Sequence, residues 1–248
     1  MKSIWNGSIN LGLVNIPVKL YSAIEPQTIK FRLLCGKCHT PIKYKRWCPK
    51  CKKEVSWQNT VKGFELSKGK YYILTKEKLE KLKPEKTDSI EIIEFVNSKQ
   101  IDPIYFDKHY FVIPEKEKEK AYFLFKETLS ATAKTAIGKI ILKDKEHICS
   151  IESYKNGMLL TTLNYAYEIR DITKIPELKT APRLSKEELK LAKQLINEFY
   201  EKEFDATKFR DTFAEKLKQA IKGTIKREIK KPRKMNLIKA LKASINTK

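Results

Sequence analysis

Alternating apolar and polar positions dominate the first residues of the chain. Apolar side chains occupy every second position from 14 to 20, and Ile9 and Leu11 precede them with the same spacing. A strand with this period of two has one apolar face, so residues 4–22 are predicted to form β structure. Pro17 lies inside the pattern and predicts an edge or a bend, because proline cannot donate a ladder hydrogen bond.

Similar patterns recur along the next 140 residues. Strands are predicted at 61–66, 71–74, 90–96, 104–106, 110–113, 137–142, 148–154 and 158–163. Residues 67–70 predict a hairpin turn, 107–109 form a polar turn, and Asn156-Gly157 favours a two-residue hairpin. Many antiparallel strands with few helices predict a mainly β fold with some α structure, either a β-barrel or a highly curved sheet.

Helical periodicity appears in three places. Thr75 is suited to cap a short helix that ends before Pro84, and apolar positions within 115–130 fit one helical face. Beyond Asp171, apolar stripes at 189–199 and 209–225 predict a helical arm. Two helices cannot bury both stripes by themselves. We therefore expect the arm to pack on the barrel or on a second copy of the chain.

The formal net charge is +22, and most of it is concentrated in two segments. Residues 30–53 contain nine Lys and Arg without an acidic residue, and 222–248 contain ten with the single Glu228. Such concentration is self-repulsive unless a polyanion relieves it, and nucleic acid is the commonest polyanion. A generally lysine-rich surface and an anionic membrane surface are the alternatives.

Bulk composition is typical of a folded domain. Apolar residues make up 41% and aromatic residues 10% of the 248 positions, so a substantial core is expected. No apolar run approaches the length of a membrane span, and the polar start excludes a secretory signal peptide. We expect an intracellular, cytoplasmic protein.

Four of the five cysteines form two C-x-x-C pairs separated by nine residues. Two such turns supply four thiolates, which is the donor set of a structural Zn²⁺ site. The predicted ligands are Cys35, Cys38, Cys48 and Cys51, with a redox pair or an idle remnant as alternatives. His39 could replace a ligand, although an exposed or phosphate-facing position is favoured. Cys149 is isolated in a strand pattern and is expected to be a small buried apolar residue.

Cations and aromatic residues surround the cysteine pairs. The predicted DNA-contacting cations of this segment are Lys30, Arg32, Lys37, Lys43, Lys45, Arg46, Lys50, Lys52 and Lys53. Zinc would fold this segment, which has little core of its own. Tyr44, Trp47 and Trp57 could stack on bases, but we favour their forming the small core of the zinc ribbon.

Motifs of common enzymes are absent from the sequence. It has no phosphate-binding glycine loop, no H-E-x-x-H and only three histidines. A metal-dependent nuclease built on Asp102 and Asp107 is a weak hypothesis, because a turn accounts for both residues. A binding protein is therefore favoured over an enzyme. A zinc-ribbon protein that binds RNA or the ribosome is an alternative function.

Several segments closely resemble prokaryotic Ku proteins, and the likeness extends to about Gly223. The matching segments are IWNGSI (4–9), LGLVNIPVKLYSA (11–23), VKGFE (61–65), PEK (84–86), IDPIYFDK (101–108), KAY (120–122), Leu195-Ile196 and Phe204-Asp205. The resemblance implies a seven-stranded Ku-type barrel core over 1–175, with a zinc-ribbon bridge inserted at 30–57. A helical dimerisation arm would cover 176–225 and a basic tail 226–248.

The same resemblance implies a function. Family members are expected to form a homodimeric ring around double-stranded DNA ends and to recruit an ATP-dependent DNA ligase for non-homologous end joining, without being enzymes. The dimer interface would include Leu195, Phe199, Phe209, Phe213 and Leu217. Further DNA contacts are predicted in the tail at Lys226, Arg227, Lys230, Lys231, Arg233 and Lys234. The excess of lysine suits phosphate contact rather than base recognition.

Overall fold

The computed structural model describes residues 1–27, 29–82, 88–178 and 182–221. The chain divides into two compact units, Met1–Arg170 and Asp171–Lys248. The first unit contains the β structure and the second contains the helices of the predicted arm. Each unit is described separately below.

Eleven strands are formed within the described part of the first unit. They are β1 (Trp5–Leu11), β2 (Val14–Ser22), β3 (Trp47–Cys48), β4 (Lys53–Glu54), β5 (Lys62–Ser67), β6 (Lys70–Leu74), β7 (Ser89–Asn97), β8 (Phe106–Pro114), β9 (Lys134–Leu142), β10 (Lys145–Tyr154) and β11 (Gly157–Leu163). The helices are α1 (Lys76–Leu82), α2 (Glu119–Thr132), α3 (Lys186–Glu198) and α4 (Thr212–Ile221).

Seven of these strands close into a barrel in the order β1-β2-β8-β11-β10-β9-β7. All neighbouring pairs are antiparallel except β1 and β7, which run parallel. Closure pairs both edges of every strand, which leaves no exposed sheet edge. The predicted β-barrel is therefore confirmed, and β3–β4 and β5–β6 are separate two-stranded sheets.

The barrel core is built from the alternating positions that predicted the strands. Ile9, Ile16, Val18 and Leu20 are all at most 1% exposed, as is Tyr122 from α2. The Tyr122 hydroxyl donates a 2.6 Å hydrogen bond to the carbonyl oxygen of Val112 in β8. This bond satisfies a buried polar group while the ring fills the core.

Cys149 in β10 also belongs to this core and is fully buried. Burial raises the pKa of its thiol to about 12. The prediction that Cys149 is a small buried apolar residue is confirmed.

The two ends of the barrel have different neighbours along the chain. At one end β1, β7, β8 and β10 begin and β2, β9 and β11 end. Residues 23–88 leave β2 and return to β7 at this end, so we call it the insert end. At the opposite end α2 connects β8 to β9, and we call it the helix end.

Local turn chemistry differs from the predictions at three points. Residues 107–109 are not a turn but the first part of the continuous strand β8. The turn between β10 and β11 uses Lys155 and Asn156, with Lys155 at φ 51°, so Gly157 already belongs to β11. Pro17 is not at a sheet edge. Pro17 pairs with Ser8 of β1, and the pairing of β2 with β8 begins only at Val18. The missing N–H of Pro17 therefore removes no hydrogen bond from the β2–β8 ladder.

Two helix starts follow the predicted capping pattern. Thr75 Oγ1 accepts a 3.3 Å hydrogen bond from the N–H of Lys78 in α1. Ser185 and Glu188 form a reciprocal capping box at the start of α3. The short polar side chains satisfy backbone donors that have no partner within the helix.

Candidate nucleic-acid interface

The cation-rich segment lies in the long insert between β2 and β7. The insert is anchored at both roots to the insert end of the barrel. The N–H of Ala23 donates to the carbonyl oxygen of His109 at 3.0 Å, and the N–H of Ser8 donates to Asp88 at 3.0 Å. The barrel therefore presents the insert from one end only.

The first cysteine pair forms a compact turn. The N–H of Cys35 donates to the carbonyl oxygen of Thr40 at 2.9 Å, and the N–H of His39 donates to Cys35 at 2.8 Å. His39 follows Cys38 and adopts a left-handed φ of 54°. These bonds hold the two cysteines on one side of the turn.

The second pair shares one backbone feature with the first. Cys48 is the last residue of β3, and its Sγ accepts a 3.4 Å hydrogen bond from the backbone N–H of Cys51. Lys52 directly follows the second cysteine and adopts φ 50°, as His39 does in the first turn. The insert therefore contains two matching cysteine knuckles, which are the 35–38 turn and the 48–51 turn.

Hydrogen bonding changes the acidity of these thiols. Contacts from Thr40 lower the pKa of Cys38 to about 7, and the N–H of Cys51 lowers the pKa of Cys48. The neighbouring Cys48 thiol raises the pKa of Cys51. Hydrogen bonds to a sulfur favour its thiolate form, which is the form that binds zinc.

The donor set fits zinc, but the two knuckles are not joined. Within the ranges that the structure describes, no group of three or more His, Cys, Asp or Glu residues is placed to hold a metal ion. Each pair is therefore formed separately. Zinc ligation by Cys35, Cys38, Cys48 and Cys51 stays a prediction.

All nine predicted cations of the insert are exposed. Two of them have partners inside the insert. The Lys45 Nζ lies 2.8 Å from Glu54 Oε2, and the Arg46 guanidinium lies 4.8 Å from the centre of the Trp57 ring. At these exposures such pairs contribute little stability and open readily for a stronger anionic partner.

The aromatic residues of the insert do not form a core. Tyr44 is 82% exposed, Trp47 62% and Trp57 69%. The expectation that they fill the interior of a ribbon is therefore wrong. Tyr44 and Trp47 are therefore available to a ligand or partner, whereas one face of the Trp57 ring is covered by the Arg46 guanidinium.

The β5–β6 hairpin of the insert also exposes apolar side chains. Phe64 and Tyr72 face each other across the two strands and are 62% and 48% exposed. The turn and both strands agree with the prediction for 61–74. A two-stranded sheet is marginally stable without a packing partner.

The arm residues keep apolar surface exposed. Leu195 and Leu217 are half-buried, whereas Phe199, Phe209 and Phe213 are 61%, 72% and 62% exposed. Phe209 stacks on Phe204 with a centroid distance of 5.7 Å. In its described residues, the second unit therefore carries large apolar side chains that α3 and α4 leave exposed.

Some predicted positions lie outside the described residues. They are PEK (84–86) and the tail cations Lys226, Arg227, Lys230, Lys231, Arg233 and Lys234.

Asp102 and Asp107 have separate structural surroundings. Asp102 Oδ1 accepts a 3.0 Å hydrogen bond from the N–H of Ile104 and caps a short 3-10 turn. Asp107 lies in β8 and accepts a 3.4 Å hydrogen bond from the Thr162 hydroxyl. These contacts explain each carboxylate without a shared metal.

A cationic cluster that sequence patterns did not predict lies at the insert end of the barrel. Lys108, Lys143 and Lys145 line one cleft there, together with His147. They come from β8, the β9–β10 turn and β10, which the barrel brings together. Scattered single lysines give no local pattern, so only the fold identifies this cluster.

No helix in the described residues is long and apolar enough to cross a membrane.

Comparison with known proteins gives one family. Residues 10–191 match the model of the Ku70/Ku80 beta-barrel domain. The non-homologous end joining protein Ku of Heliobacterium modesticaldum is 38% identical over 99% of this chain and 91% of its own. The Bacillus subtilis protein of that name is 37% identical over 99% of this chain and 82% of its own. The Archaeoglobus fulgidus protein is 39% identical over 99% and 98%.

A solved structure, the SPOC domain of human PHD-finger protein 3, matches 65% of this chain and 95% of its own. The identity is 13% and the TM-score 0.32, which is too low for a conclusion about fold or function.

Proposed function

The chain belongs to the Ku family of non-homologous end joining proteins, and on that basis we propose that it binds the ends of double-stranded DNA during break repair. The observation that carries the proposal is the near full-length similarity to three proteins with that name, at 37–39% identity. The similarity covers the barrel, the insert and the arm together. No comparable observation supports the RNA-binding alternative.

Two copies of the chain would form a ring around the duplex. The exposed Phe199, Phe209 and Phe213 of the second unit support this arrangement, because aromatic side chains of that size are normally covered. A two-fold interface uses the same surface of both copies, so one apolar arm is sufficient for dimerisation. Leu195 and Leu217 would complete the interface.

The insert would contact the sugar-phosphate backbone. Its nine exposed cations include seven lysines, and a lysine ammonium interacts with phosphate as a point charge rather than recognising base edges. Backbone contacts position a protein without specifying sequence. Binding to ends of any sequence follows from this chemistry, as end joining requires.

Zinc would be structural in this protein. The sulfurs of Cys35, Cys38, Cys48 and Cys51 would hold Zn²⁺ and thereby join the two knuckles into one ribbon. The left-handed residue after each cysteine pair and the hydrogen bond that the Cys51 N–H donates to the Cys48 Sγ support this assignment. A joined ribbon would fix the cations of the insert relative to the DNA.

The protein would act as a scaffold rather than an enzyme. With both DNA ends held, joining requires a partner that seals the nick, and we propose recruitment of an ATP-dependent DNA ligase. The exposed apolar surface of the β5–β6 hairpin offers protein-binding area beyond what phosphate contact needs.

The proposal is tested by comparing linear duplex with covalently closed circles of the same length and sequence. We expect tight binding to linear DNA, a steep decrease with salt and little binding to closed circles at physiological salt. The complex should have the mass of two chains per DNA end. Equal affinity for both DNA forms would contradict end loading.

A further inference from the structure

A cleft of about 520 Å³ opens at the insert end of the barrel. Its lining includes Lys108, Lys143 and Lys145 as well as His147 and the carboxylate of Asp107. With the imidazole neutral, the ionised side chains of the lining sum to a positive charge. The cleft therefore favours an anion of modest size.

The lysines are only weakly engaged with the protein. The Lys108 Nζ lies 3.8 Å from Asp107 Oδ2, and the Lys145 Nζ lies 3.8 Å from Glu168 Oε1. Both distances exceed that of a direct hydrogen bond, so the ammonium donors remain usable. Lys143 forms no ion pair with any residue in the described part of the chain.

The floor of the cleft is buried and hydrogen-bonded. Thr162 is 1% exposed, and its Oγ1 accepts a 3.1 Å hydrogen bond from the backbone N–H of Lys108. Trp5 and Tyr110 line the cleft and pack against the barrel core. A buried floor with weakly paired lysines at its rim is suited to an anion that is held at the surface.

The opposite end of the barrel has a different character. The groove at the helix end has about 470 Å³ and is lined mainly by apolar side chains such as Leu11, Val14, Phe95 and Leu124. The two ends of the barrel therefore differ in the side chains that line their clefts, and the lysines are concentrated in the cleft at the insert end. It occupies the end from which the insert emerges, and Ser22, the last residue of β2, belongs to its lining.

We propose that this cleft is a second phosphate-binding site, which contacts nucleic acid together with the insert. The inference rests on the proposed function, because it assigns the phosphate to DNA. The lysines at the rim and the cations of the insert would contact successive phosphates of the same DNA backbone. The phosphate is either a backbone diester or the 5′-terminal phosphate, and the same chemistry recognises both.

The test removes two rim charges from the full-length protein. The variant K143Q/K145Q replaces both lysines by glutamine, which is neutral and of similar length. The matched control is K116Q/K120Q, which removes the same charge from two exposed positions at the helix end, one just before α2 and one in its first turn. Unchanged thermal melting of both variants establishes that the barrel is intact.

Affinity for linear duplex is measured as a function of salt, with 5′-phosphate and with 5′-hydroxyl ends. We expect K143Q/K145Q to weaken binding and to reduce the salt slope by about 2 for each chain that contacts the DNA, and the control to leave the slope unchanged. A loss on both DNAs assigns the site to backbone diesters. A loss only on the phosphorylated DNA assigns it to the terminal phosphate.

The site is disproved if K143Q/K145Q binds like wild type, or if both variants lose affinity and slope equally. Either result would leave the proposed function intact, provided that wild-type protein still prefers linear DNA to closed circles. Loss of that preference in the wild-type protein would instead contradict the proposed function itself.

Discussion

At the scale of single residues, the insert is organised by the positions that follow each cysteine pair. His39 and Lys52 both adopt left-handed backbone conformations, although neither is glycine. Non-glycine residues rarely do so, and the repetition at equivalent positions indicates a common constraint in both knuckles. Bringing two thiols together at the end of each turn is such a constraint.

We expect Cys48→Ser to remove zinc from the protein and to weaken DNA binding while the barrel stays folded. Serine oxygen is a poor replacement for thiolate, and the insert would lose the ion that joins its knuckles. Metal analysis of purified protein should give about one zinc per wild-type chain and much less in the variant.

Cys149→Ala is the matched control for this cysteine substitution. Cys149 is buried in the barrel, far in sequence from both knuckles, so its loss should lower thermal stability without changing zinc content. A wild-type protein that is purified without chelators and contains no zinc would contradict the assignment.

At the scale of elements, closure of the barrel depends on close backbone contact between β7 and β9. A Cβ at Gly138 in β9 would lie 2.5 Å from the carbonyl oxygen of Glu91 in β7. The register of this pair also shifts between Ile92 and Glu94, which is the local sign of a bulge. Glycine is needed here to let the two strands approach.

Gly138→Ala is therefore expected to destabilise the barrel by about 1–3 kcal/mol, because a neighbouring strand must move to admit the methyl group. Urea unfolding followed by tryptophan fluorescence measures the change. Gly36→Ala is the control, since a Cβ there has no atom within 4 Å. Equal stability of G138A and G36A would refute this account of closure.

The arm is the second element with a testable role. Replacing Phe209 and Phe213 by Glu should raise the dimer dissociation constant by at least about tenfold, because burying each phenyl ring contributes about 1.5–3 kcal/mol. Sedimentation equilibrium measures the constant. Lys218→Glu on the same helix changes charge without removing apolar area, and its dissociation constant should stay near that of wild type.

Local elements were largely predictable from the sequence. Alternation of apolar positions and polar caps depends on neighbouring residues, so β1, β2, α2 and the starts of α1 and α3 follow from it. The barrel order does not, because the β1–β7 and β2–β8 pairs join distant segments. The prediction of a turn at 107–109 was wrong because it relied on the polarity of these side chains. Asp107 and Lys108 are polar because they line the cationic cleft, and the backbone there is a strand.

At the scale of the whole molecule, the positive charge of the insert and that of the barrel-end cleft are proposed to form one DNA-binding surface. The insert and the barrel-end cleft lie at the same end of the barrel, whereas the groove at the helix end is lined mainly by apolar side chains. The cysteine ligands and insert cations could be predicted because they cluster in sequence. The cleft could not, since Lys108 and Lys143 are brought together only by the fold.

Deleting residues 226–248 should reduce DNA affinity without preventing dimerisation, because the deletion removes basic tail residues but leaves α3 and α4. Each lost phosphate contact lowers the salt slope by about 0.9. Fluorescence titrations at several salt concentrations measure both quantities. Unchanged titrations would mean that the tail serves another partner.

The central claim is that two copies encircle the duplex, and topological trapping tests it most directly. Protein is loaded on linear DNA, the DNA is then circularised by a ligase, and salt is raised until simple electrostatic binding is lost. We predict that protein remains on the closed circle and is released when a restriction enzyme reopens it. Complete release from the intact circle at high salt would contradict the ring.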